Sequence, residues 1–98
     1  MKVLSTFLFV LSSYLLIAQT KVTGVISDKQ GAPLVGVSIS EKGTNNGAFT
    51  SNDGSYSLLV SNDSALLIFR AVSYKTQERL FVGQPTFDLT LEEDIELL

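Results

Sequence analysis

From Lys21 onward, apolar residues recur at every second position in short runs, and each run is cut off by a cluster of turn residues. A period of two places alternate side chains on opposite sides of an extended chain, so each run can hide its apolar set only as a strand in a sheet. Val22, Gly24 and Ile26 alternate with Thr23, Val25 and Ser27. Val35, Val37 and Ile39 alternate with Gly36, Ser38 and Ser40, which predicts the most regular strand of the chain. Ala48 to Ser51 reads as a brief strand, and Tyr56, Leu58 and Val60 alternate with Ser55, Ser57 and Leu59. Leu66 to Val72 is almost continuously apolar, which predicts a central strand buried on both faces, with Arg70 reaching the rim or finding a partner. Tyr74 to Val82 is more polar and reads as an outer strand, and Phe87, Leu89 and Leu91 alternate in the last one. No helical period competes after residue 20.

The turns between these runs carry their own chemistry. In Asp28 to Pro33 the aspartate accepts local backbone bonds, Gly31 permits a positive φ and Pro33 fixes its own φ. Gly43 and Gly47 bracket a second turn cluster, and Asp53-Gly54 reads as a hairpin turn. Seven short strands joined by short connections predict an all-β sandwich of two antiparallel sheets packed face to face. The 98 residues are too few for two ordinary domains.

Residues 1–18 read differently. Lys2 precedes an apolar stretch from Val3 to Ile17, interrupted only by hydroxyl residues, and Ala18 offers a small residue for cleavage before Gln19. That is the pattern of a cleaved signal peptide, with Leu16 larger than usual at the −3 position. A membrane span needs roughly 20 mostly apolar residues, more than this stretch supplies. The predicted organisation is therefore a signal peptide over 1–18, a β-sandwich over 19–92 and an acidic tail or truncated linker over 93–98. An exported protein follows, with no transmembrane segment in the mature chain.

Charge and residue types exclude several functions. The whole chain carries a formal charge of −3, and loss of Lys2 with the signal makes the mature chain one unit more negative. Its acids crowd toward Glu92, Glu93, Asp94 and Glu96, and no basic stripe suited to a phosphate backbone is present. There is no Cys to staple a small exported domain, which points to a bacterial envelope source. With neither His nor Cys, the sequence has no His-assisted or Cys nucleophile and no ordinary zinc site. A Ser–Lys pair built on Lys42 or Lys75 would need a desolvated lysine, and both lie beside turns or on polar strands. Asp28, Asp53 and Asp63 lack the spacing of a calcium loop and read as residues shaping their own turns. Asn62-Asp63-Ser64 fits a glycosylation acceptor, and Asp63-Ser64-Ala65 a short O-glycosylation signal; both put that loop on the surface. Gly43 and Gly47 are not followed by the Lys-Ser/Thr of a phosphate loop. The sequence thus predicts no catalytic, cofactor-binding or metal-binding residues.

Taken jointly, the ordered turns and strands resemble the carboxypeptidase-D regulatory-like domain. The resemblance is carried by Val22-Thr23-Gly24-Val25-Ile26, by Asp28 to Pro33 leading into Leu34-Val35-Gly36-Val37, and by Lys42 to Gly47. It continues through Thr50 to Leu58 and closes at Leu89-Thr90-Leu91-Glu92-Glu93. It implies a seven-stranded, transthyretin-like Greek-key sandwich. It also implies a non-catalytic periplasmic domain of the kind that leads SusC-like TonB-dependent outer-membrane receptors, here without the plug and barrel. The alternative is a free-standing exported module for binding, adhesion or enzyme support. Such domains usually carry Gly-Tyr where this chain has Ser73-Tyr74, so a bend there with negative φ at Ser73 is expected. The expected partner is an envelope protein, a receptor plug and barrel or an associated lipoprotein. The expected mode is strand addition at exposed edges, with the first and last strands as the edges.

Overall fold

The computed structural model describes residues 19–95. The signal-peptide reading of residues 1–18, including Ala18, and the end of the acidic tail lie outside the described residues. Seven strands follow one another: β1 Thr20–Ser27, β2 Ser38–Glu41, β3 Gly47–Phe49, β4 Ser55–Val60, β5 Ala65–Arg70, β6 Gln77–Phe81 and β7 Leu89–Thr90. They form a three-stranded sheet in the order β4-β1-β7 and a four-stranded sheet in the order β3-β2-β5-β6. The all-β, seven-stranded, two-sheet architecture is the one the alternation predicts.

The core lies between the sheets and is made by the inward half of each period-two run. β1 contributes Val22 and Ile26, and β4 contributes Tyr56, Leu58 and Val60. From the other sheet come Ile39, Leu67, Phe69 and Phe81, with Val37 and Leu91 closing the ends. Register enforces the match: Thr20, Val22 and Gly24 of β1 stand opposite Val60, Leu58 and Tyr56 of β4, so a slip of one residue would turn the whole set outward. Tyr56 meets Phe69 edge to face at 6.1 Å between ring centres, and Phe87 stacks on Phe69 at 6.0 Å, which links the two sheets through aromatic contact.

Several details depart from the sequence-based expectation. The strand foreseen from Val35 begins only at Ser38, because Gly36 takes φ of 77° and breaks the extended chain, leaving Val35 exposed. β5 is indeed a central strand, yet it buries only the face bearing Ala65, Leu67 and Phe69; Leu66 and Ile68 are half-exposed. The strand stops at Arg70, and Val72 is 92% exposed. The apolar run overstated burial because nothing among the described residues stacks on the outer face of this sheet. Asp53-Gly54 turns the chain but closes no hairpin: β3 and β4 belong to different sheets, so the turn carries the chain from one layer to the other. β7 pairs with β1 in parallel, Ile26 opposite Leu89 and Ser27 opposite Thr90, and spans two residues only. Ser73 has φ of +70°, not the negative value expected, so the bend keeps its left-handed form with a residue that has a Cβ.

One close approach fixes how the last segment meets the first strand. Ahead of β7 the chain runs beside β1, with a bridge between Thr23 and Thr86, and the Phe87 amide donates to the Thr23 carbonyl at 2.7 Å. Gly24 makes room for this: a Cβ there would stand 2.0 Å from the Phe87 carbonyl oxygen and 2.9 Å from the Tyr56 ring. The Tyr56 hydroxyl donates to that same Phe87 carbonyl at 2.6 Å.

Candidate functional site

The surface offers open strand edges and one strapped chain end. Because β1 is sandwiched between β4 and β7, it is not an edge, contrary to the expectation from its place in the sequence. The edges are β4 and β7 in one sheet and β3 and β6 in the other. The β4 edge is largely closed by side chains. Asn46 Nδ2 donates to the Leu59 carbonyl, Ser51 donates through both its amide and its hydroxyl to the Ser55 carbonyl, and the Ser61 amide reaches Glu41 Oε1 at 3.4 Å. β7 is covered in part by Gln77, whose amide nitrogen donates to the Thr90 carbonyl at 3.2 Å. That leaves β3 and, less completely, β6 as the open edges, since beside β6 the Val82 amide donates to Gln84 Oε1 at 2.7 Å and Arg79 Nη1 donates to the Glu78 carbonyl at 3.5 Å. Each carries exposed apolar side chains on or next to it: Phe49 on β3, and Leu80 and Val82 at β6. On the outer face Leu80 stands opposite Leu66, extending the apolar surface inward from the β6 edge. An unpaired edge with apolar flanks suits main-chain pairing with a partner strand, the side chains adding contact on one face.

The turn residues singled out from the sequence sit around the ends of the sandwich. Asp28 Oδ1 accepts from the amides of Gln30 and Ala32, both at 2.9 Å, around Gly31, and Pro33 bridges back to Ser27. Gly43 lies in the exposed loop that follows Glu41, and Gly47 opens β3. Asp53 accepts from the Ser55 amide and from the hydroxyls of Ser55 and Ser51. These bonds, that of Ser55 foremost, lower its pKa below the ordinary aspartate value. The Gly54 amide donates to the Ser51 carbonyl. Tyr74, half-buried, bridges to Glu93 in antiparallel fashion. Gln19 is exposed ahead of β1. The structure does not bring these residues into one site; they serve separate turns.

Three residues matter that sequence reasoning passed over. Glu41 is buried, and its Oε1 accepts from Asn46 Nδ2 as well as from Ser61. Its position was readable, since it continues the inward parity of Val37 and Ile39. Thr50 is buried too: its hydroxyl donates to the Leu34 carbonyl at 2.6 Å and accepts from the Val37 amide at 2.9 Å. Asp88 Oδ1 accepts from the Val25 amide at 2.8 Å, holding the segment before β7 against β1. Nothing local marks Thr50 or Asp88, whose partners lie 13 to 63 positions away.

At one end of the sandwich a cleft of about 180 Å³ is lined by Asp28, Lys29, Gln30, Tyr74 and the segment after β7. Among the described residues no group of three or more metal-ligating side chains gathers, and no helix is long and apolar enough to cross a membrane, which says nothing of a β-barrel. The loop at Asn62 to Ser64 is exposed, and Asp63 accepts from the Thr20 hydroxyl at 2.8 Å.

Comparison with known proteins bears on what this surface serves. A sequence profile of the CarboxypepD_reg-like domain matches residues 22–97. TonB-dependent receptor P39 of Formosa agariphila is 37% identical over 81 residues, which is 83% of this chain and 8% of that protein. A second TonB-dependent receptor of the same organism is 32% identical over 93 residues, 94% of this chain and 9% of the relative. TonB-dependent receptor SusC of Bacteroides thetaiotaomicron is 29% identical over 80 residues, 82% of this chain and 8% of SusC. The chain thus spans under a tenth of the length of the curated relatives it matches. Among solved structures, a chain of a type II cohesin–X-dockerin complex from Acetivibrio cellulolyticus superposes with a TM-score of 0.55 at 22% identity. That match covers 72% of this chain and 52% of the other, and it shows a shared fold.

Proposed function

Because this chain belongs to the CarboxypepD_reg-like domain family, we propose that it is the non-catalytic, N-terminal periplasmic domain of a SusC-like TonB-dependent outer-membrane receptor for nutrient uptake. In this reading residues 1–18 are removed on export, residues 19–92 form the domain, and the acidic segment after them leads toward a plug and barrel. The domain acts by docking on an envelope protein, either the receptor's own plug and barrel or an associated lipoprotein. The observation that carries the reading is the identity to TonB-dependent receptors across most of this chain. The β3 and β6 edges supply the means, since a partner strand laid along either would pair with main-chain groups that no neighbouring strand meets among the described residues. No cofactor enters the role.

The test has two parts. The coding sequence after the Leu98 codon is read in the same frame; a plug and barrel supports the reading, and a stop followed by an unrelated gene overturns the receptor assignment. Amide exchange is then compared at Gly47 and Phe49 and at Glu78 and Leu80, whose amides face the free edges, with and without detergent-solubilised receptor barrel or its lipoprotein. Slower exchange at one of these edges is expected on binding. Demonstrated binding with unchanged exchange at both edges rules out docking by strand addition.

A further inference from the structure

The segment after β7 does not leave the sandwich freely. The Leu91 amide donates to the Ser27 carbonyl at 2.9 Å, the Lys75 amide to the Glu92 carbonyl at 2.8 Å and the Asp94 amide to the Ser73 carbonyl at 2.9 Å. Around the Tyr74–Glu93 bridge, then, three residues of the exit segment pair antiparallel with the bend that follows β5. Leu91 is fully buried and pins the start of the segment. At its middle the Glu92 carboxylate lies between two ammonium groups, Lys29 Nζ at 3.4 Å and Lys75 Nζ at 3.6 Å. The two lysines come from separate loops, one after β1 and one after β5, so the carboxylate ties three parts of the chain together.

We propose that the Ser73–Lys75 edge, with Lys29 beside it, is a slot for an extended acidic strand, filled in cis by Leu91–Asp94 as an electrostatic latch that sets the direction in which the chain leaves the domain. The chemistry selects an acidic occupant. A neutral strand could make the same main-chain bonds, but only a carboxylate at the Glu92 position answers both lysines. Glu92 is pulled below the ordinary glutamate pKa by Lys29 first and Lys75 second, as this geometry requires. All three side chains are at least half-exposed, so the latch is weak, screened by salt and able to open without unfolding the core. A weak latch at an exit point is a hinge with a preferred angle. It holds the departing chain in one orientation and gives way when a stronger acidic strand or high ionic strength competes.

Hydrogen exchange of individual amides in the full chain tests this, with the Lys75 and Asp94 amides reporting the latch and the Leu67 and Phe69 amides reporting the core. Glu92→Lys is expected to speed exchange at Lys75 and Asp94 by about two- to fivefold, the range that exposed ion pairs command. Raising the salt from low ionic strength to about 1 M, where screening is nearly complete, is expected to do the same to the parent chain. Combining Glu92→Lys with Lys29→Glu and Lys75→Glu restores the pairing with reversed signs and returns exchange toward the parent rate. Failure of the triple variant to recover, or acceleration of the core amides in step with Lys75 and Asp94, overturns the latch. So does indifference of the two amides to both salt and Glu92→Lys.

Discussion

Adding one methyl group at Gly24 is expected to loosen the last segment of the sandwich. In an open strand Gly→Ala is favourable, since it removes conformational freedom from the unfolded chain, worth about 0.4–1 kcal/mol. Here the added Cβ would lie 2.0 Å from the Phe87 carbonyl oxygen, 2.6 Å from its carbon and 2.9 Å from the Tyr56 ring. Two of these atoms are backbone and cannot rotate away. Relief requires the chain around Phe87 to move off β1, which breaks the Phe87-to-Thr23 and Tyr56-to-Phe87 hydrogen bonds and disturbs the stacking of Phe87 on Phe69. Overpacking of this kind costs about 1–3 kcal/mol, and two net hydrogen bonds add about 1 kcal/mol each. Set against the entropy gain, Gly24→Ala is expected to destabilise by about 2–4 kcal/mol, a large share of what a domain this small possesses. Urea unfolding followed by far-ultraviolet circular dichroism reads the change as a lower midpoint at unchanged slope. Amide exchange at Val25 and Phe87 should rise more than at Leu67. A Gly24→Ala chain as stable as the parent would refute the claim that this contact holds the last segment in place.

Four further changes probe other joints. Thr50→Val keeps the shape but leaves the Leu34 carbonyl and Val37 amide without their side-chain partner, and should cost about 2–3 kcal/mol in thermal unfolding. Glu41→Ala removes the acceptor shared by Asn46 and Ser61, so a loss of about 1–3 kcal/mol is expected, together with faster exchange at the Ser61 amide. Ser73→Gly relieves a residue held at φ of +70°; set against the extra freedom of glycine in the unfolded chain, a gain of up to about 1 kcal/mol, or a few degrees in Tm, should appear. The pH dependence has two limbs. Burial, with help from Asp88, raises the Tyr56 pKa above its ordinary 10.0, so the unfolded chain ionises first; stability is whole below pH 10 and falls as the pH rises beyond it. In Tyr56→Phe this alkaline limb should vanish from a pH series of urea midpoints. Asp53 and Glu92 are shifted down from 3.8 and 4.5, so their contribution is present above those values and is lost as the pH falls below them. Both are exposed, which keeps that acid limb shallow.

What the sequence disclosed and what it hid divide along a physical line. Period two is a local property, so Val22, Ile26, Ile39, Leu58, Val60 and Leu67 announce their inward faces within six residues of chain, and the core follows. Which strands become neighbours is not local. Nothing in Asp53-Gly54 tells a hairpin from a step between sheets, because the same turn serves both. β7 found its parallel place beside β1 only because Gly24 lets Phe87 close in, a fact written in two positions more than sixty residues apart. The long apolar run of β5 misled for a related reason: an outer face that no described element covers looks, in sequence, like a second buried one. That same misreading bears on the docking surface proposed above. Leu66, Ile68, Leu80 and Val82 are too apolar for the solvent they meet, and they flank β6, an edge that, among the described residues, side chains reach only at the Glu78 carbonyl, from Arg79, and at the Val82 amide, from Gln84. The β4 edge, by contrast, is sealed by Asn46, Ser51 and Glu41. In the proposed docking by strand addition at β6, polar replacement of Leu80 and Val82 should weaken binding, and replacement of Leu59 on β4 should leave it unchanged.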